Sequence, residues 1–242
     1  IDADPTTFNS SAAGLVMPAG SQVLFAGLYW SGRTNSSYPT GLTSQRNNVL
    51  FRGPDDTDYA ALTGTTIGTT SSSYQAFEDV TATVAAQGAG VYTVANVQAI
   101  AETDDKYAGW SLVVAYRAPG EPARNLTVFD GYGSVSSSDP DVTLSIAGFK
   151  APPSGPVNAT LGFIAYEGDL GYKGDQVFFD GGLGPVRLSN PANPATNFFN
   201  STVSNRGSLV PTKDPNDVNQ FGFDADLVAA NGVIANSATS AT

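Results

Sequence analysis

A chain of 242 residues with 11 Lys and Arg, 22 Asp and Glu, and no His or Cys carries a formal charge of −11 at pH 7. That inventory excludes Ser-His-Asp and Cys-His catalysis, zinc centres and disulfide frameworks, which all need residues that are absent. It also argues against nucleic acid, since too few cations are present to replace the counterions around phosphate. Hydrophobic residues at 41% and aromatics at 10% can fill a core, so the chain reads as folded rather than as an acidic tail. Glu stands only at 78, 102, 121 and 167, which leaves 18 of the 22 acids as Asp. Asp favours turns, caps and calcium loops, and with 26 Gly and 15 Pro the composition is that of short strands joined by many turns.

In chain order, residues 1–12 are polar and read as an extended arm. Strand-like runs follow at 13–17, 22–30 and 48–51, and the Ser/Thr-rich stretch 63–73 reads as an exposed loop. Residues 74–87 place Phe77, Val80 and Val84 at helical spacing, with Glu78 and Asp79 near the start, and predict a short helix. Run 90–100 alternates, with Val91, Thr93, Ala95 and Val97 on one face, whereas 110–117 is apolar on both faces and predicts a central strand. Further runs lie at 124–130, 142–146, 158–166, 175–179 and 185–188, with a polar loop at 134–141 and a second short helix expected at 193–201, anchored by Phe198 and Phe199. Ten runs at this spacing predict an all-β fold, a jelly-roll-like two-sheet sandwich with one or two short helices, forming a single domain over 1–242. Residues 232–242 read as an incomplete or donated strand. No stretch approaches the ~20 apolar residues of a membrane span. The chain opens at Ile1 without a basic n-region or apolar h-region, so it reads as a processed mature chain or a fragment.

Two acidic clusters are candidates for chemistry. In the first, Glu167, Asp169 and Asp175 surround three glycines after an apolar strand, and a flexible loop of that kind suits calcium, which takes six to eight oxygens. The spacing is not that of an EF-hand, and a solvated hairpin turn is the plainer reading. In the second, Asp217 precedes Asp224 and Asp226, which lie two apart and share one face of an extended strand. Carboxylates held that close repel unless a cation or proton intervenes, although Asp224 capping a short helix is the plainer alternative. Asp55, Asp56 and Asp58 read as a turn. Glu167 paired with Asp169, Asp224 or Asp226 also has the residue types of a glycosidase, which depend on a separation that spacing alone does not define. Few aromatics beyond Trp30, Trp110 and several Tyr are available as sugar platforms. Lys150 is the best donor for an intramolecular Lys–Asn amide, though an exposed lysine is the simpler reading. Asn-x-Ser/Thr sequons stand at Asn9, Asn35, Asn125, Asn158 and Asn200, those at Asn125 and Asn158 opening expected strands.

Six segments, in order, carry a family resemblance: LFAGLYWSG at 24–32, YAGWSLVVAY at 107–116, RNLTVFDG at 124–131, AYEGD at 165–169, NFFNS at 197–201 and GFDAD at 222–226. Together they resemble a secreted β domain near the N-terminus of large, actinobacterial-type cell-surface proteins that continue into tandem Ig-like repeats. The resemblance spans about 8–242. It implies export, a cell-surface location and a structural or adhesive role, and it brings no catalytic residues. The expectation is therefore a non-enzymatic extracellular surface protein whose partners are other copies of itself. Self-assembly into filaments or tubes would proceed by strand complementation, with calcium as stabilising ion and neither nucleic acid nor membrane insertion involved. A carbohydrate-binding module or glycan-active enzyme on the same scaffold, recognising cell-surface glycans, is the alternative.

Overall fold

The computed structural model describes residues 2–35, 42–100 and 106–242. Within them the chain forms β1 (Ser10–Leu15), β2 (Gln22–Arg33), β3 (Asn48–Arg52), β4 (Ala60–Thr63), β5 (Thr65–Thr69), β6 (Ser73–Asp79), helix α1 (Thr81–Gln87), β7 (Gly90–Ala95) and β8 (Ala108–Arg117). After these come β9 (Ile146–Ala147), β10 (Thr160–Tyr166), β11 (Phe178–Phe179), β12 (Val186–Arg187), β13 (Val203–Asn205), β14 (Ser208–Leu209), β15 (Lys213–Asp214), β16 (Phe223–Ala229) and β17 (Ser240–Ala241). The fold is all-β and sandwich-like. Among the described residues no helix is long and apolar enough to cross a membrane.

Period-two alternation builds the first sandwich. On β2, Ala26, Leu28 and Trp30 are fully buried, and they face Val49 and Phe51 of β3 and Tyr92 and Val94 of β7. One layer has the order β5-β6-β2-β8 and the other β15-β1-β7-β3-β4. The Trp30 indole N–H donates to the Arg46 carbonyl at 2.9 Å, so the largest core side chain buries no unpaired donor. On the outer face of β2, Phe25, Tyr29 and Phe77 crowd over Gly27, where a Cβ would lie 2.8 to 2.9 Å from all three rings.

The expected helix at 74–87 begins later than its apolar spacing implied. Residues 73–79 are strand β6, with Tyr74 and Ala76 inward and Gln75 and Phe77 on the other face, and only Thr81–Gln87 is helical. Phe77 belongs to the strand period, while Val80 and Val84 anchor the helix. The Asp79 carboxylate accepts the Thr81 N–H at 2.9 Å and starts that turn. The expected loop at 63–73 contains β5, paired with β6. No helix forms at 193–201. Asn190 Oδ1 accepts the N–H groups of Ala192 and Asn193, Asn193 Nδ2 donates to the Phe198 carbonyl, and Asn200 Nδ2 donates to the Ala192 carbonyl. Asn side chains compete in this way for the backbone groups a helix would use, and Pro191 and Pro194 remove two N–H donors.

The second half adds a sheet of order β10-β16-β13-β14, in which β16 runs antiparallel to β10 and parallel to β13. Its own cluster gathers Phe179, Leu188, Phe198, Val228 and Ala241, with the Phe163 ring edge-on to Phe198 at 5.5 Å. Two features join the halves. Strand β15 returns to pair with β1, opposite Ala12 and Ala13. At the seam with β8, a Cβ on Gly109 would lie 2.2 Å from the Phe223 ring, which itself contacts Tyr166. Among the described residues, both terminal segments are tied to the rest of the chain. Asn9 exchanges bonds with Val97 ahead of β1, and β17 pairs with β9 while Thr242 and Asp180 exchange backbone bonds.

Residues 124–130 and 142–145, expected as strands, run extended without a ladder. Asn125 stands opposite Lys150, Gly133 opposite Val142 and Ser136 opposite Asp139, which is one antiparallel hairpin register. Among the described residues, only Ser136 and Asp139 exchange backbone bonds along it. Leu126, Val128, Phe129, Val135, Val142 and Leu144 are 40–65% exposed.

Candidate functional site

Strand β16 places its even-numbered residues inward. Val228 and Ala230 are each 1% exposed, and in line with them Asp224 is 0% and Asp226 2% exposed. Two acids thus occupy positions that the strand period reserves for the core. Their polar partners come from the facing loop and β13. Asp224 Oδ1 accepts the Thr202 N–H at 3.0 Å, and Asp226 Oδ1 lies 2.7 Å from the Ser204 hydroxyl. That hydroxyl also lies 2.8 Å from Asn193 Oδ1, so one proton serves two acceptors. The Oδ2 atoms of both aspartates are buried without a hydrogen-bond partner.

Burial pushes the Asp224 carboxyl up to about 7, against the pull of the Thr202 N–H and with a further push from the Asp226 charge. Burial also raises Asp226, opposed by Ser204 and Asn193. Asp224 Oδ2 and the Phe199 backbone pack directly on Gly168, where a Cβ would lie 2.0 Å from the carboxylate oxygen and 2.8 Å from the Phe199 carbonyl oxygen, so the position admits no side chain.

The remaining expected ligands surround this pair without joining it. Glu167 follows β10 at φ 77° and donates its N–H to the Gly222 carbonyl, next to Gly168. The Asp169 carbonyl accepts from Asn197 Nδ2 at 3.2 Å. Desolvation raises the Asp175 carboxyl although the residue as a whole is exposed, and the Phe199 N–H opposes the shift. Asp217 belongs with Lys213, whose ammonium donates to the Asp217 carbonyl at 2.6 Å. Among the described residues no three acidic side chains converge on one point as a metal cluster. Sequence reasoning did not single out Asn193, Asn197, Ser204 or Gly168. The recurrence of Asn at 190, 193, 197 and 200 between prolines was the available signal.

Elsewhere, Lys150 is exposed, with its N–H 3.4 Å from Asn125 Oδ1, so that pair stands in solvent and not in a core. Asn125 and Asn158 are exposed sequons, Asn200 is buried, and the sequon at Asn35 runs into residues outside those described. A groove of about 360 Å³ lies between the outer sheet face and the hairpin, lined by Phe25, Tyr29, Phe77, Leu126, Val128 and Asp130. Another, of about 180 Å³, lies beside Lys213 and Asp217.

A family model for a protein of unknown function, DUF3344, matches residues 4–229 and therefore takes in both acidic segments and the hairpin. The chain belongs to the DUF3344 family. No curated protein and no solved structure matches it. The DUF3344 match ends at the last residue of β16, so the aspartate pair, Gly168 and the Asn-rich loop all lie inside the family's span.

Proposed function

We propose that this chain is a non-enzymatic structural or adhesive module of an extracellular surface, which associates with other copies of itself through the hairpin at 124–150. The observation that carries this reading is the hairpin itself. Its arms have strand composition, a shared register and exposed apolar side chains, yet no ladder among the described residues. Unpaired backbone beside exposed Leu, Val and Phe invites strand addition, and contiguous apolar surface on a folded protein marks an interaction site. Hydrogen bonds from Tyr29 to Asp130 at 3.4 Å and from Tyr132 to Ser73 at 2.8 Å hold the hairpin's near arm on the sandwich. Inward burial of Asp224 and Asp226 supports a role other than chemistry on a solvent-borne substrate. The Asp-rich composition and the resemblance to secreted surface domains support the extracellular setting.

The test is sedimentation velocity over a concentration series of the full chain, repeated with Val128→Asp and Leu144→Asp. Association that weakens at least tenfold in either variant is expected, because each buries a charge where apolar contact is proposed. A wild-type monomer at every concentration up to millimolar would overturn the reading. A carbohydrate-binding or glycan-active role has one observation in its favour, the groove beneath the hairpin with aromatic rings and Asp130. Glycan binding abolished by Asp130→Ala, in a protein that stays monomeric, would move the assignment there.

A further inference from the structure

Strand β8 has the pattern of a central strand and stands at a sheet edge. Residues 110–117 are apolar on both faces, and the structure covers both. Inward, Trp110, Leu112 and Val114 pack on the first core, while outward Gly109 meets the Phe223 ring and Ala115 lies under the hairpin. Yet β8 ends the order β5-β6-β2-β8, with a ladder to β2 alone. Among the described residues, the backbone of 108–117 makes no hydrogen bond beyond that ladder. Exposure agrees: residues 26–32 of β2 are buried throughout, whereas residues 108–116 beside them are half-buried throughout. A row of outward N–H and C=O groups is thus left open between two covered faces.

Folded proteins blunt such edges with charge, proline, bulges or short length. The other end strands show those devices: β4 has four residues, β14 two, β15 is the charged pair Lys213–Asp214, and β5 is interrupted by a register shift between Thr66 and Gly68. Strand β10, of seven residues, brings its Tyr166 ring to 6.1 Å from Tyr107 of the same copy. Strand β8, of ten residues, has none of these devices before Arg117 at its last position. Residues 107–116 include no charge in a chain of net −11, and copies of so acidic a chain repel least where charge is missing. The strand is also its own complement. Antiparallel pairing about Leu112 sets Trp110 against Val114 and Ser111 against Val113, so inward residues meet inward and outward meet outward. Aromatic and β-branched side chains opposite one another favour such a pair.

We infer that a second copy of this chain adds its own β8 to this edge, antiparallel about a twofold axis at Leu112, and joins two four-stranded sheets into one. This pairing rests on the self-association proposed above and gives it a second surface besides the hairpin. An interface in which β8 meets β8 is isologous and closes as a dimer, and the hairpin then links dimers into longer assemblies.

The chain has no cysteine, so Arg117→Cys at the exposed end of β8 takes a single nitroxide label. Double electron–electron resonance on the associated full chain should give a distance of about 34 Å, ten strand residues at about 3.4 Å each. Val128→Asp, which alters only the hairpin, should keep that distance. In unlabelled protein, amide hydrogen exchange in 108–117 should slow by about tenfold between dilute and associated samples. Association in which 124–150 gains protection while 108–117 does not, with no distance near that value, would overturn this inference and leave the hairpin reading in place. Protection of 108–117 without 124–150 would do the reverse. A monomer at every concentration up to millimolar would overturn both.

Discussion

Replacing Asp224 by Asn is a direct measure of what its buried charge costs. Asn keeps the shape and the Oδ1 acceptor for the Thr202 N–H, and it adds an Nδ2 donor on the side of the Phe199 carbonyl. The carboxyl is raised from 3.8 to about 7 in the folded protein, chiefly by burial. An acid whose folded pKa exceeds its unfolded value holds its proton more tightly when folded, so this group's contribution is most favourable below pH 3.8. That contribution is then lost as pH rises through 7. At 1.36 kcal/mol per pH unit the full loss is about 4 kcal/mol, a ceiling because Asp226 titrates with it and the Asn amide must still fit. At pH 8, Asp224→Asn should therefore be more stable than wild type by about 1–3 kcal/mol, and the gap should shrink to less than half at pH 5. Urea unfolding followed by the fluorescence of buried Trp30 measures both values. If Asn instead destabilises the protein by more than about 1 kcal/mol at both pH values, the carboxylate has a favourable partner and burial does not govern its energy.

Two further substitutions test the frame that carries the pair. Gly109→Ala would set a methyl 2.2 Å from the Phe223 ring, one residue before Asp224, and overpacking there should cost about 1–3 kcal/mol. The melting temperature should fall by about 2–4 °C per kcal/mol, and an unchanged melt would mean that β8 and β16 do not press together at this seam. Arg46 is buried, donates to Thr34 Oγ1 at 2.8 Å and to the carbonyls of Thr70 and Ser71, and lies over the Tyr74 ring at 5.6 Å. Arg46→Met removes those donors while keeping the length, so a loss of about 2–4 kcal/mol by urea unfolding is expected, and a loss below about 0.5 would refute the staple.

The fold class was legible because alternation is strong where one sheet face is buried. Ala26, Leu28 and Trp30 on β2, or Val49 and Phe51 on β3, admit one reading. Legibility failed where two periods met or where side chains replaced backbone partners. Phe77 sits at a helical distance from Val80 and Val84 but faces outward from a strand, and single-sequence spacing does not separate the two. At 190–200 the structure is written in Asn side-chain bonds, which carry no period. The hairpin at 124–150 reads as strand by composition, and its lack of a ladder depends on which edges the rest of the chain leaves within reach. The shared face of Asp224 and Asp226 followed from their spacing. Their burial did not, because it depends on Val228 and Ala230 continuing the same inward row.

That inward row also explains why this pair stands out from the other acids of the chain. Other carboxylates serve local geometry in reach of water: Asp56 accepts from Gly53 and Gln87, Asp79 starts α1, and Asp4 closes a turn on Thr6. Such acids are held ionised by the donors they accept, as the lowered carboxyls of Asp56 and Asp79 show, Gln87 and Thr81 being the main causes. Asp224 and Asp226 move the other way, since burial outweighs the donors they have. A strand that spends two core positions on acids gives up apolar contact and takes on a desolvation penalty of several kcal/mol per ion. Natural folds bear one or two local violations of that size and compensate them elsewhere, and such violations gather at functional sites. Here the Thr202 N–H and the Ser204 hydroxyl each compensate one oxygen of a carboxylate, and the cost that remains is the one that Asn at position 224 is expected to relieve.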